Sequence, residues 1–488
     1  MPFATRVVET HVSNVFFVGD RVFKLKKPVQ TGFLDFTSRE AREAACRREV
    51  ALNRRLSPDV YLGVATVLDD EGNVADHLVV MRRMPDEMRL SRLVAAGVNV
   101  DGDLRDLARL IAAFHAGARR GSEIDEAATG DAVLKTWEAG FRELDPFVGS
   151  VLLADEFDRV RTLARTYIEG RGPLFERRIA RGWARDGHGD LLADDIFCLP
   201  DGPRVLDCIE FDDHLRFADV LADCAFLVMD LERLGHPELG DAVLRWYGEF
   251  SGERHPRTLA DHYIAARAHV RAKVACLRHE QGDAGSAAVA RQLHRMTSDH
   301  LEQAQVRVAL VGGLPGTGKS TLAAGLAQDG EWMVLRSDEI RKELAGLPVD
   351  RPAPAPFGEG LYSTERTEQT YAEMLVRART LVMLGEPVVL DASWMSRRHR
   401  VLARAMARSV HAPLVELECV APVELAAKRT LERAARGSDP SDANPAIVRA
   451  LQAHREAWPE ATPVDATQAP AAIRRHVAAA LAQAASAA

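Results

Sequence analysis

Residues 306–321 read VRVALVGGLPGTGKST. An apolar, β-branched run gives way to glycines, and Lys-Ser-Thr then opens a helix. Gly313, Gly318, Lys319 and Ser320 stand at the fixed positions of G-x-x-x-x-G-K-[ST]. The chemistry requires that spacing. Glycines let consecutive backbone N–H groups turn inward around a phosphate, and the N-terminus of the following helix adds its positive end. The cradle comprises Gly313, Leu314, Pro315, Gly316, Thr317, Gly318, Lys319, Ser320 and Thr321. Lys319 is directed to the β- and γ-phosphates, and the Ser320 hydroxyl to Mg2+. The stretch predicts binding of a nucleoside triphosphate, ATP, with Mg2+.

Downstream of this stretch the pattern alternates. Strands are expected at 332–336, 387–390, 414–420 and 463–465, with helices at 338–344, 364–384, 423–435 and from 446 onward. Such alternation predicts a doubly wound parallel sheet, in which ligands collect beyond the carboxyl ends of the strands. Asp391 closes VVLD and suits a Mg2+ water shell, or else a helix cap. Asp338, in RSDEIRKEL, suits a general base for an acceptor hydroxyl, with Arg341 one helical turn later to grip a substrate anion or the carboxylate itself. A plain N-cap is the competing role for Asp338, and Ser337 could fill it. Arg429, Arg433 and Arg436 share one helix face, either a solvated face or a lid over the transferring phosphoryl group. Gly437-Ser438-Asp439-Pro440 after them reads as a hinge-like loop.

Upstream, two short strands around Gly19-Asp20 predict a hairpin, and Thr37-Ser38-Arg39-Glu40 predicts a capping box opening a helix to about residue 56. From about residue 91 the pattern is mainly helical. His115 on an apolar helix face reads as a hydrogen-bonded core histidine before it reads as a ligand. Residues 187–213, GHGDLLADDIFCLPDGPRVLDCIEFDD, place Asp190 and Asp195 on one loop and Asp207 at the end of an expected strand 205–209. This layout matches a kinase catalytic loop and metal aspartate: Asp190 to accept the acceptor's proton, Asp195 and Asp207 to hold Mg2+. Lys24 and Glu49 are placed for the phosphate-orienting ion pair, although Lys26 shares the strand face of Lys24.

At 488 residues the chain needs two or three domains. Lys plus Arg (63) against Asp plus Glu (71) leaves a formal charge of −8, which gives no whole-chain attraction to nucleic acid. A local basic groove stays compatible with that balance, and Arg397, Arg398 and Arg400 with Trp394 are the nearest candidates. Six scattered cysteines without C-x-x-C spacing fit reduced thiols. The absence of an apolar leader or a long uncharged run predicts a cytoplasmic protein without a membrane span.

GGLPGTGKST, SDEIRKEL, VVLDASW and KRTLERAARGSDPSDA resemble the P-loop small-molecule and polynucleotide 5′-hydroxyl kinases, zeta-toxin-like members included. VFKLKKPV, RREVALN, AAFHAG, HGDLLADDIF and VLDCIEF resemble the aminoglycoside phosphotransferase-like kinases. The whole chain resembles a bacterial fusion of the two, often called aminoglycoside phosphotransferase/ATP-binding proteins. The resemblance implies a two-lobe protein-kinase-like domain over 1–303, with its small lobe to about residue 90, then a P-loop kinase (AAA-type ATP-binding) domain over 304–488. It implies phosphoryl transfer from ATP to a small-molecule hydroxyl by at least the P-loop half, with the N-terminal half a second kinase or a substrate-holding domain. A polynucleotide 5′-hydroxyl kinase and a nucleotide-gated regulatory protein are the alternatives, and the acceptor and oligomeric state stay open. Two departures stand out. Asp195 replaces the family's Asn, and only Gly19 is available before Lys24 for a glycine-rich loop.

Overall fold

The computed structural model describes residues 6–10, 12–31, 34–330, 332–351, 358–436 and 444–486. The chain divides into two compact units. The first comprises Met1–Phe157, Phe175–His255 and Ala260–His300; the second comprises Asp158–Leu174, Pro256–Leu259 and Leu301–Ala488.

The first unit begins with an antiparallel sheet in spatial order Arg6–Glu9, Ser13–Val18, Arg21–Lys26, Val74–Arg82, Tyr61–Leu68. The expected hairpin is present: Val18 pairs with Arg21 across Gly19-Asp20. Helix Arg39–Asn53 covers the sheet, packing Cys46 and Val50 against Val22, Val79 and Met81. Its cap is one residue later than expected. The Ser38 hydroxyl accepts from the Ala41 amide, because Thr37 is held by Asp35, whose Oδ1 accepts from its amide at 2.9 Å and its hydroxyl at 2.5 Å.

A mainly helical region follows, centred on helix Val220–Arg233, which is buried from Val220 through Leu231. Ahead of it a hairpin pairs Ile196–Leu199 with Gly202–Val205. The strand expected at 205–209 therefore ends at Val205. Asp207 adopts φ 65°, a left-handed conformation that an extended strand does not accommodate.

The second unit is built on five strands, all parallel, in order Met333–Arg336, Val388–Asp391, Val308–Gly312, Leu414–Val420, Thr462–Asp465. The strands Val308–Gly312 and Val388–Asp391 are buried at every position, as a sheet with helices on both faces requires. Ala309, Val311, Val389, Val415 and Leu417 form its core with Val477 and Ala480 of helix Pro470–Ser486. Two upstream stretches belong to this unit. Arg171 donates to the Val410 carbonyl at 2.7 Å, and the Thr258 hydroxyl to the Gly385 carbonyl at 2.6 Å. The fold is thus mixed α/β, with a kinase-type parallel sheet in its C-terminal part. Among the described residues no helix is long and apolar enough to cross a membrane. All six cysteines are unpaired and buried.

Candidate functional site

In the second unit the chain turns from strand Val308–Gly312 through the glycines into helix Lys319–Gly330. Gly313 and Gly316 have φ of 128° and 82°. A Cβ at Gly316 would lie 2.2 Å from the Ala426 carbonyl oxygen, and one at Gly313 would lie 2.4 Å from that of Cys419. Only glycine fits either place. The Thr317 hydroxyl donates to the Leu314 carbonyl at 2.7 Å, and Lys319 Nζ donates to the same oxygen at 3.0 Å. The lysine folds back over its own loop.

Two cavities meet at this loop. One, of about 720 Å3, is lined by Gly316, Gly318, Thr321, Arg429 and Glu432. The other, of about 410 Å3, is lined by Pro315, Asp338, Arg341, Tyr371, Asp391 and His399. Lys319 and Ser320 line both. The expected carboxylates and the expected phosphate-binding groups are therefore gathered in one place.

Asp391 ends its strand, 5 % exposed, in register with Arg336 on the neighbouring strand. Arg336 was not singled out from sequence, yet it joins the site. Its Nη2 donates to Ser320 Oγ at 3.2 Å, and its Nε lies 3.5 Å from Asp391 Oδ2. A strand-end arginine carries no motif, so only register could have exposed it. Helix Ser337–Leu344 has Arg336 at its N-cap and no side-chain cap bond, so Ser337 does not serve as the cap. Arg341 is 8 % exposed; its Nη1 donates to the Leu361 carbonyl at 2.9 Å and to Thr367 Oγ1 at 3.2 Å. Arg429 Nη2 donates to the Ala466 carbonyl at 3.4 Å. Arg433 lies on the same helix, Val423–Arg436. The Arg433 and Arg436 side chains and the loop 437–443 lie outside the described residues. The basic cluster near Trp394 is divided, with Arg397 and Arg398 exposed and Arg400 turned inward. Trp394 and Arg400 are buried, with Arg400 donating to the Trp394 and Ala457 carbonyls, and Arg398 pairs with Glu368 at 3.0 Å.

The first unit gathers a second set. Lys24 Nζ lies 3.0 Å from Glu49 Oε1 and 2.6 Å from Asp207 Oδ1. Lys26, fully buried, reaches Glu49 Oε2 at 2.6 Å and pairs with Glu210. This separates the two lysines: Lys24 meets the expected metal aspartate, and Lys26 ties the helix to the segment after Asp207. Burial opposes the charge on Lys24, but Asp207 and Glu49 outweigh it and raise its pKa well above the usual value. Lys24 in turn holds Asp207 below the usual carboxylate range. Asp195 goes the other way: burial, then the charges of Asp207 and Asp190, push it well up. The charge that Asp adds relative to Asn is thus the one its surroundings disfavour. Burial also raises Asp190, against the opposing pull of Arg271 at 3.5 Å.

Asp223 organises the loop. Its Oδ2 accepts from the His188 amide at 2.7 Å and its Oδ1 from the Gly189 amide at 2.8 Å. His115 Nε2 lies 3.1 Å from Oδ2, while its Nδ1 contacts the Tyr247 hydroxyl at 3.0 Å. His115 is therefore the hydrogen-bonded core histidine expected. Asp230 accepts from the Ala193 amide at 3.0 Å further along the same loop. Both aspartates interrupt an otherwise apolar helix, a signal the sequence offered: a buried carboxylate needs donors.

Whether these residues suit Mg2+ is a question of donor chemistry. Among the described residues no three His, Cys, Asp or Glu side chains converge as a ready metal cage. Mg2+ at kinase sites takes only one or two protein ligands beside phosphate and water. Ser320 with Asp391, and Asp195 with Asp207, fit that requirement.

The match to known families follows the same division. Residues 308–458 match the AAA domain family model. The chain is 43 % identical over 452 residues to the uncharacterized protein Rv2004c of Mycobacterium tuberculosis, covering 93 % of this chain and 90 % of that protein. The uncharacterized protein Mb2027c of Mycobacterium bovis matches equally. Among solved structures, a choline kinase from Cryptosporidium parvum shares 10 % identity at TM-score 0.41, covering 68 % of this chain and 93 % of that one. The GDP complex of aminoglycoside 2′-phosphotransferase-IIIa shares 15 % at 0.37, over 61 % and 92 %. A gluconokinase from Sinorhizobium meliloti shares 20 % at 0.28, over 37 % and 93 %. The chain belongs to the family of these mycobacterial proteins, with an AAA domain over residues 308–458.

Proposed function

We propose that the second unit transfers the terminal phosphoryl group of ATP to a hydroxyl of a small molecule. The observation that carries this reading is the pair of cavities sharing Lys319 and Ser320, one running to Arg429 and the other containing Asp338 and Arg341. A nucleotide in the first places its γ-phosphate at the shared residues, and an alcohol in the second faces it. The alcohol oxygen bonds to the γ-phosphorus, the bond to the β–γ bridging oxygen breaks, and ADP departs. Asp338 takes the hydroxyl proton. Lys319 and the loop amides hold the phosphate charge, and Arg341 orients the acceptor. When bound by Ser320 and Asp391, Mg2+ would neutralise charge on the β- and γ-phosphates.

The first unit is read as a second kinase, with Asp190 as base, Lys24 oriented by Glu49 toward phosphate, and Asp195 and Asp207 for Mg2+. In place of a glycine-rich loop it has the two-residue turn at Gly19-Asp20. The test is ATP consumption by Lys319→Ala and Asp190→Ala proteins with sugars, polyols, aminoglycosides and nucleosides as acceptors. Loss of turnover in both variants, each with different acceptors, is expected. Full activity of Lys319→Ala with every acceptor would sink the reading of the second unit.

A further inference from the structure

The cavity beside Asp190 has a charge of its own. It measures about 600 Å3, within the range of small-molecule sites. Its apolar wall carries Trp137, Phe226 and Tyr263. Its polar wall carries four cations, Lys135, Arg267, Arg271 and Lys273, against the carboxylates of Glu143, Asp190 and Asp219. Two of those carboxylates are committed. Asp219 accepts from Arg178 at 2.6 and 2.7 Å, and Glu143 pairs with Lys273 at 3.0 Å. Lys135, Arg267 and Arg271 are left facing Asp190.

Arg267 lies over the Phe226 ring, its Cζ 4.3 Å from the centroid, and its Nε donates to the Ala222 carbonyl at 2.8 Å. Among the described residues no carboxylate lies within ion-pair distance of it. Two residues on in the same helix, His269, 3 % exposed, lines the cavity with neither ring nitrogen hydrogen-bonded. A half-buried guanidinium held outside ion-pair distance of Asp190 and a buried imidazole without a hydrogen bond both gain from a ligand that completes them.

We propose that this cavity is the acceptor site of the N-terminal half and takes a small anionic alcohol with a flat apolar body. The anionic group meets Arg267 and Arg271, the apolar body lies along Trp137 and Phe226, and the hydroxyl reaches Asp190. A polycationic acceptor would bring charge of the cavity's own sign. The ligand class rests on reading this half as a kinase only where transfer is concerned. In that step the alcohol oxygen bonds to the γ-phosphorus of ATP, ADP leaves, and the proton passes to Asp190.

The test uses the full-length Lys319→Ala protein and three matched probes: p-(hydroxymethyl)benzoate, benzyl alcohol and p-(aminomethyl)benzyl alcohol. Calorimetric titration without ATP is expected to show the benzoate binding at least tenfold more tightly than the amine. Arg267→Gln should remove that preference. Lys135→Glu, a change at an exposed side chain that spares the core, should narrow it severalfold. Equal or tighter binding of the amine, or no binding of any probe, would overturn the ligand class. With ATP added, label transfer to the benzoate that Asp190→Asn abolishes is expected. Preferential binding without transfer would leave the ligand class standing and overturn the kinase reading of this half.

Discussion

The phosphate sites proposed for the two units are built by different means. The second uses backbone amides, which is possible only because Gly313 and Gly316 stand where any Cβ would strike a carbonyl. The first uses side chains: Lys24 fixed by Glu49, with Lys26 and Glu210 completing a buried cluster. A backbone cradle is intolerant of substitution at its glycines and takes its side-chain charge from Lys319. A side-chain cradle tolerates a shortened loop but depends on every member of its ion network.

Substitutions should separate the two devices. Lys319→Ala should lower ATP-dependent transfer by the second unit by roughly a thousandfold, read as label transfer to its acceptor, because a fixed positive group is lost from the transferring phosphate. Asp338→Ala should lower kcat there by about a hundredfold and leave the affinity for ATP unchanged, since only proton removal is lost. In the first unit, Glu49→Gln leaves Lys24 and Lys26 short of charge and should cost about 4 kcal/mol, read as an earlier unfolding transition. An unchanged transition would show that the cluster is not the brace described.

A pH series sharpens the contrast. His300, 4 % exposed, lies between Asp261 at 3.0 Å and Glu232 at 2.8 Å. Burial opposes its charge, but the two carboxylates win and raise its pKa from 6.5 to about 9. A raised folded pKa stabilises fully below the unfolded value, and that contribution is lost as pH rises through the folded one. The first unit should therefore lose at most about 3 kcal/mol between pH 6.5 and about 9, and His300→Gln should flatten the profile. The smallest effect is expected at Gly19→Ala. It should cost about 1 kcal/mol for the turn and change transfer by the first unit less than about threefold, because side chains grip the phosphate there.

Much of this was legible in the sequence where a rule is local. The glycine spacing, the strand–helix alternation and the Gly19-Asp20 hairpin each follow from short-range sterics. Arg336 was not legible, since its place depends on register with Asp391, on a strand far downstream in the chain. Asp223 was half legible: a carboxylate in an apolar helix announces buried donors, but not that they are the His188 and Gly189 amides. The strand expected at 205–209 failed because Asp207 takes a left-handed conformation, apolar neighbours notwithstanding. The charge of the cavity beside Asp190 was also hidden, since Lys135 and Arg267 are far apart in the chain.

The central claim is that phosphoryl transfer by the second unit occurs where its two cavities meet. Label transfer from γ-labelled ATP to a panel of sugars and polyols, run on the full chain beside its Lys319→Ala and Asp338→Ala variants, tests it most directly. The account predicts transfer by the unaltered protein to at least one polyol, near-complete loss in the first variant, and loss with retained ATP binding in the second. Undiminished transfer by Asp338→Ala would contradict it.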